Sequence, residues 1–222
     1  MINNEYSLIL VVALTSLAPF IVAGGTCYIK FSVVFVLLRN ALGIQQVPSN
    51  MTLNGIAMFL TLFVMTPVIH KCYDEYVDQK VQLSNFDSLV EFGTTGLSGY
   101  RNYLKKYADP ELLQFFEKAQ ANQLGEEQAD NAALSDDPSM IALLPAYALS
   151  EVKSAFKIGF YLYLPFIVVD MVISCVLLAL GMMMMSPVTI SVPIKLILFV
   201  AMDGWSLLSK GLVMQYIDLA KS

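Results

Sequence analysis

Charge is scarce in this chain. Asp, Glu, Lys and Arg make up 14% of it, little more than half the roughly 25% of an ordinary soluble domain. A charged, fully hydrated surface is therefore excluded. Histidine occurs once, as His70, and cysteine three times, as Cys27, Cys72 and Cys175. An odd, scattered set of cysteines builds neither a disulfide framework nor a metal site, and two of the three lie in apolar runs where free cysteine behaves as a small hydrophobe. A lone histidine at the end of an apolar segment reads as an interfacial polar group rather than a catalytic or proton-sensing one. Glycine-x-serine-x-glycine, histidine-glutamate-x-x-histidine and P-loop patterns are all missing. No cofactor or metal is implied. Residues 1–5 carry only Glu5, so the basic start of a secretory signal peptide is not expected.

What is present is apolar. Hydrophobic residues are 57% of the chain and the mean hydropathy is +0.64, which fits a small polytopic membrane protein of the all-α class. The net charge of -5 is unevenly spread: residues 70–153 hold 14 acids and 7 bases, and the remainder is slightly basic. An acidic middle argues against nucleic acid or an anionic membrane surface as partner. Three regions follow: a kinked helical hairpin over 1–69, an acidic polar helical domain over 70–140, and a second helical hairpin over 141–222.

The run from Tyr6 to Leu38 is interrupted by Pro19, Gly24-Gly25 and Lys30, and reads as one broken membrane helix. Such breaks survive at membrane depth only where protein or water satisfies the freed backbone groups. Arg39 to Asn50 is a polar turn punctuated by Gly43 and Pro48. Met51 to Ile69 is a second span, with Asn54 and Pro67 as its irregularities. In the polar domain, Ser84–Val90 and Asp109–Ala119 look helical. The latter has Asp109 as N-cap, Pro110 at the first helical position and Glu111 favouring the dipole. Tyr100, Tyr103, Leu104 and Tyr107 recur at helical intervals, and Gly93, Gly96 and Gly99 mark loops. Residues 122–138 have the composition of a mobile, acidic loop.

The C-terminal third holds two further spans, Ala155–Met185 and Val188–Met214, each long enough to cross roughly 30 Å of hydrocarbon. They carry Lys157, Asp170, Lys195, Asp203 and Lys210. A charge at mid-bilayer costs at least about 2.5 kcal/mol, so these groups need partners. Folded as a hairpin about Ser186-Pro187, Asp170 lies level with Asp203, while Lys195 sits about 8 residues nearer the turn, roughly 12 Å along the axis. No simple internal salt bridge results on this count, and the ions are expected to face a wet cavity or other chains. Glu151 is expected to be similarly stranded, because Lys153 is off its face. Between the two spans stand Met182, Met183, Met184 and Met185, opened by Gly181 and closed by Ser186-Pro187.

The words LLPAYALSEVKSAFKIGFYLYLPF, ALGMMMMSP and PIKLILFVAMDGW, with KFSVVFVLLRNALGIQQVPSN and MTLNGIA earlier, resemble the SctR/FliP family of type III secretion and flagellar export-gate proteins. GTCYIKFS with LSEVKSAFKIGFYLYLPF is most like the virulence injectisome branch of the Inv/Mxi-Spa type. The resemblance spans nearly the whole chain apart from its middle third. It implies a non-enzymatic core subunit in a pseudo-helical assembly of about five copies. The implied partners are SctS/FliQ-like, SctT/FliR-like, SctU/FlhB-like and SctV/FlhA-like subunits, the secretion-system basal body and unfolded protein substrates. It also implies a place in the bacterial inner membrane, with the complex raised towards the periplasm. Met182, Met183 and Met184 match the family's gasket methionines, and Met185 is extra. Methionine is unbranched and soft, so a ring of such side chains closes a pore yet yields to a passing polypeptide. Lys30, Arg39, Glu151, Lys153, Lys157, Asp170, Lys195 and Asp203 are the expected subunit-contact charges. Charge bias puts residues 70–153 and both termini in the periplasm, with the Arg39 loop and the methionine turn on the cytoplasmic side.

Two other classes compete. Asp170 and Asp203 on neighbouring spans suit an intramembrane aspartyl dyad, but VVDMV and AMDGW are not its motifs. Broken helices with intramembrane acids suit an ion-coupled secondary transporter, but four spans are few for one and no inverted repeat is visible.

Overall fold

The computed structural model describes residues 2–44, 46–78, 98–124, 138–182 and 184–221. The expected helix at Ser84–Val90, Gly93, Gly96 and most of the expected acidic loop lie outside them. Among the described residues the chain is all α, with no strand. In chain order the helices are α1 (Ile2–Gly25), α2 (Tyr28–Ala41), α3 (Asn50–Asp78), α4 (Ser98–Tyr107), α5 (Pro110–Leu124), α6 (Met140–Ala179), α7 (Pro187–Ala201) and α8 (Gly204–Lys221). α3 and α6 are long and apolar enough to cross a membrane. The count of spans rises to four if the end of α1 with α2, and α7 with α8, are each one broken span.

The helix boundaries follow local chemistry. The first long run breaks at Thr26-Cys27, just after Gly24-Gly25, while Pro19 stays inside α1. There the Thr26 hydroxyl donates to the Val22 carbonyl (2.5 Å) and accepts from the Tyr28 amide (3.3 Å), serving both helix ends. Ser49 and Ser139 cap α3 and α6 by accepting from the amides of Thr52 and Ala142, each at 3.2 Å. Asp109 caps α5 as expected, accepting from the Glu111 amide at 3.0 Å, with Pro110 in the first position.

The chain forms two compact units, each discontinuous in sequence. The first comprises 1–29 and 65–152. Its core sets Tyr103 and Leu104 of α4 with Leu143, Ala146 and Tyr147 of α6, all buried. The Tyr103 and Tyr147 hydroxyls share a hydrogen bond of 2.6 Å, their rings 5.5 Å apart. Tyr100 donates to the Gly25 carbonyl at 2.8 Å. Ser150 accepts from the Asp109 amide at 2.7 Å and donates to the Ala146 carbonyl at 2.6 Å.

The second unit comprises 30–64 and 153–222. Its core joins Leu38, Ala41 and Leu42 to Phe166 and Phe199, flanked by Tyr163 and Trp205. The Phe199 and Trp205 rings meet edge to face at 5.5 Å. One sequence expectation changes here. Val188–Met214 is not a single helix: α7 and α8 meet at a bend of 60°. The break falls at Met202-Asp203, with Asp203 in the left-handed region at φ 51. A Cβ on Gly204 would lie 2.2 Å from the Phe199 ring, so the turn into α8 depends on a bare backbone there. The two helices together are apolar enough to count as one span, which is why apolarity alone reads through the break.

Candidate functional site: the methionine turn and the ions beneath it

α6 ends by two local hydrogen bonds. The Met182 amide donates to the Leu177 carbonyl (2.9 Å) and the Gly181 amide to the Leu178 carbonyl (3.0 Å). With Gly181 at φ +74, this is a Schellman ending, which places Gly181 in the position that favours glycine and Met182 immediately after it. Ser186 is extended, and Pro187 occupies the first position of α7. The same device ends α2: Ile44 donates to Arg39, Gly43 to Asn40, and Gly43 has φ +77. The methionine tip is thus a capped turn between two helices. Met182, Met184 and Met185 are all exposed, Met184 completely; Met183 lies outside the described residues.

Below the turn, Lys195 and Asp170 form an ion pair, Nζ to Oδ2 at 2.6 Å. This overturns the expectation that the hairpin leaves them at different depths. The reason lies in where the helices end. α6 stops at Ala179 and α7 starts at Pro187, so neither helix reaches the methionine run. Counted from those ends, Asp170 is nine residues before Ala179 and Lys195 eight after Pro187, on one level. Lys195 also donates to the Ala41 carbonyl at 3.3 Å, at the C-terminus of α2, where orphan carbonyls favour a cation. Its side chain is 6% exposed and that of Asp170 43%. One buried ammonium therefore ties α2, α6 and α7 together. Sequence reasoning has no access to the Ala41 carbonyl, because backbone acceptors leave no mark in composition.

The other predicted charges separate into two sets. Lys30 is buried, its Nζ 4.6 Å from the centroid of the Tyr216 ring, a desolvated cation–π contact. Arg39 donates to the Pro48 carbonyl at 3.2 Å and closes its own loop. Glu151 is buried and engaged within the chain, beside Tyr103 and Tyr107, so it is not stranded. Lys153 also takes part in contacts within the chain. Lys157 and Asp203 are exposed and make no ion pair among the described residues. Around Glu151, burial is the main cause that raises the Tyr103 and Tyr107 hydroxyls above the usual tyrosine range. Burial likewise pushes Tyr100 to about 12, with a smaller contribution from Cys72. Among the described residues no group of histidines, cysteines and acids is placed to hold a metal ion.

A long apolar hairpin with an exposed methionine tip is the arrangement that the resemblance implies, and comparison with known proteins decides the family. The model of the FliP family matches residues 11–212. The chain belongs to the FliP family. This FliP-family chain is 62% identical over 222 residues to the surface presentation of antigens protein SpaP of Salmonella typhimurium, with 98% of this chain and 99% of that protein covered. It is 58% identical over 217 residues to SpaP of Shigella flexneri, covering 97% and 98%. It is 47% identical over 213 residues to the Yop proteins translocation protein R of Yersinia pestis, covering 96% and 97%. The FliP-family assignment makes it a membrane-embedded structural protein on the SpaP-like branch, not an enzyme.

Proposed function

We propose that this chain is a core subunit of a type III secretion export gate in the bacterial inner membrane. Membership of a protein-secretion apparatus is the broader statement, carried by relatives named for surface presentation of antigens and for Yop protein translocation. The finer reading is a channel of about five copies repeating one heterologous contact, completed by SctS/FliQ-like and SctT/FliR-like subunits. SctU/FlhB-like and SctV/FlhA-like subunits and the basal body adjoin it. Unfolded substrates pass through.

The observation that carries this reading is the methionine turn. Met182, Met184 and Met185 are exposed at a tip that follows a capped helix end and precedes a helix started by Pro187. Soft thioether side chains on a firm backbone suit a seal that closes against ions and yields to any polypeptide. The mechanism is passive: the tips of several copies meet and hold the membrane potential, then part for one extended chain. In this reading residues 70–140 form the acidic periplasmic domain, the hairpins of 1–69 and 141–222 build the channel wall, and the assembled complex stands raised towards the periplasm. The charges Lys30, Arg39, Glu151, Lys153, Lys157, Asp170, Lys195 and Asp203 serve assembly or a change of state.

The test replaces Met182, Met183 and Met184 with glycine. Assembled complexes should form at normal yield and conduct ions at rest. Unchanged resting conductance in assembled variant complexes removes the seal. A native mass equal to a monomer or dimer in gentle detergent, with solute transport activity, points instead to a secondary transporter.

A further inference from the structure

In the second unit the side chains of Lys157, Asp203 and Lys210 are exposed and make neither an ion pair nor a hydrogen bond among the described residues. They lie in or beside helices apolar enough to span a membrane, where lipid offers them no partner. Two of them border one feature. An apolar groove of about 440 Å³ runs along α6 and the α7–α8 bend, lined by Ile158, Tyr161, Phe166, Phe199, Leu207 and Gly211 among others. Asp203 stands between the lining residues Met202 and Gly204, and Lys210 immediately precedes the lining residue Gly211.

Gly211 narrows the choice of occupant. It sits within α8 at ordinary helical backbone angles, and a Cβ there would meet nothing within 4 Å. Glycine in a helix interior costs about 0.5–1 kcal/mol relative to alanine. Nothing among the described residues requires it. A helix from outside does, because small residues let backbones approach closely in membranes. An acyl chain has no such need and leaves Asp203 unpaired.

The complementary surface is on the same chain. Phe156, Phe160, Leu164, Ile167 and Met171 are exposed, and at about 100° per residue they form a ridge on the face of α6 opposite its groove-lining residues. Lys157 is next to Phe156 on the groove-to-ridge flank. Copies inserted with one topology share an orientation, so a ridge on one face and a groove on the other repeat head to tail and generate rings or helical stacks.

We propose that the groove is filled by a second copy of this chain, whose Phe156–Phe160–Leu164 ridge enters it and whose Lys157 pairs with Asp203 at its rim. The inference rests on the oligomeric reading above and names the contact through which it is built. An apolar floor with a charged rim is the usual anatomy of a specific interface, and the pairing removes two of the three stranded charges.

The experiment uses the whole secretion complex in detergent, with the chain carrying Lys157→Cys and Asp203→Cys together. Oxidation should give a ladder of disulfide-linked multimers on a non-reducing gel, absent with either substitution alone and with Lys157→Cys plus Lys210→Cys. In a second arm, Asp203→Lys should lower the yield of assembled complex at least several-fold. Adding Lys157→Glu should restore it, and adding Lys210→Glu should not. A complex of full native mass with no ladder, or rescue by Lys210→Glu alone, overturns the contact while leaving the oligomer standing. A wild-type chain that extracts as a monomer overturns both.

Discussion

Lys195 and Asp170, twenty-five positions apart in the chain, meet at 2.6 Å beneath the methionine turn. The lysine is almost wholly enclosed, whereas the aspartate keeps an open side. The pair is therefore not symmetric: the lysine holds a second contact, to the Ala41 carbonyl, that no anion can make.

That asymmetry predicts the result of a charge swap. Reversing either residue alone strands a charge in an apolar helix, at a cost of about 2.5 kcal/mol or more, and should lower complex yield on a native gel. The swapped double variant, Asp170→Lys with Lys195→Asp, should recover only part of it, because an aspartate at 195 faces a carbonyl oxygen. Full recovery would show that the Ala41 contact contributes nothing.

The turn depends on Gly181. A side chain at its positive φ costs about 1–2 kcal/mol for most residues and less for asparagine. Gly181→Val should therefore raise resting ion leakage or lower the melting temperature of the complex more than Gly181→Asn does. Equal behaviour of the two variants argues that the tip is held by its neighbours and not by its own cap.

The bend between α7 and α8 rests on Gly204 lying against Phe199. Gly204→Ala should destabilise the protein, since its methyl would overlap the ring; overpacking of this kind typically costs about 1–3 kcal/mol. Combining it with Phe199→Leu should recover part of the loss in a thermal melt. A second substitution that only adds to the damage would mean the ring is not the obstacle.

In the other unit, Tyr100 gives a pH dependence. Burial raises its folded-state value above the usual 10, to about 12. The folded protein thus holds this proton more tightly than the unfolded chain. Its contribution to stability is complete below pH 10 and is lost as pH rises through the folded value. Denaturation midpoints should fall between pH 10 and about 12, and Tyr100→Phe should flatten that fall, the loss of its hydrogen bond to Gly25 lowering the whole curve by about 1 kcal/mol. A midpoint as steep in Tyr100→Phe as in the parent chain assigns the alkaline transition to other groups.

Much of this molecule is legible in one dimension because the deciding interactions span five residues or fewer. The Asp109 cap on the Glu111 amide, the glycine ending before the methionines, the Ser186-Pro187 restart and the interruption of the first long run are all backbone and cap events among near neighbours. Apolar length alone establishes that α3 and α6 are long enough to span, and long shared words establish the family. The ions are another matter. Depth counted from Ser186-Pro187 matches Asp170 with Asp203, and only the true helix ends bring Lys195 level with Asp170. The 60° bend is set by a ring packed where Gly204 has no side chain. The Tyr103–Tyr147 hydroxyl pair joins residues 44 positions apart. Local bonding geometry is written in neighbouring residue types. Which charge meets which carbonyl, and where a helix must turn to make room for a ring, depends on atoms brought together only by folding, and tertiary packing decided it.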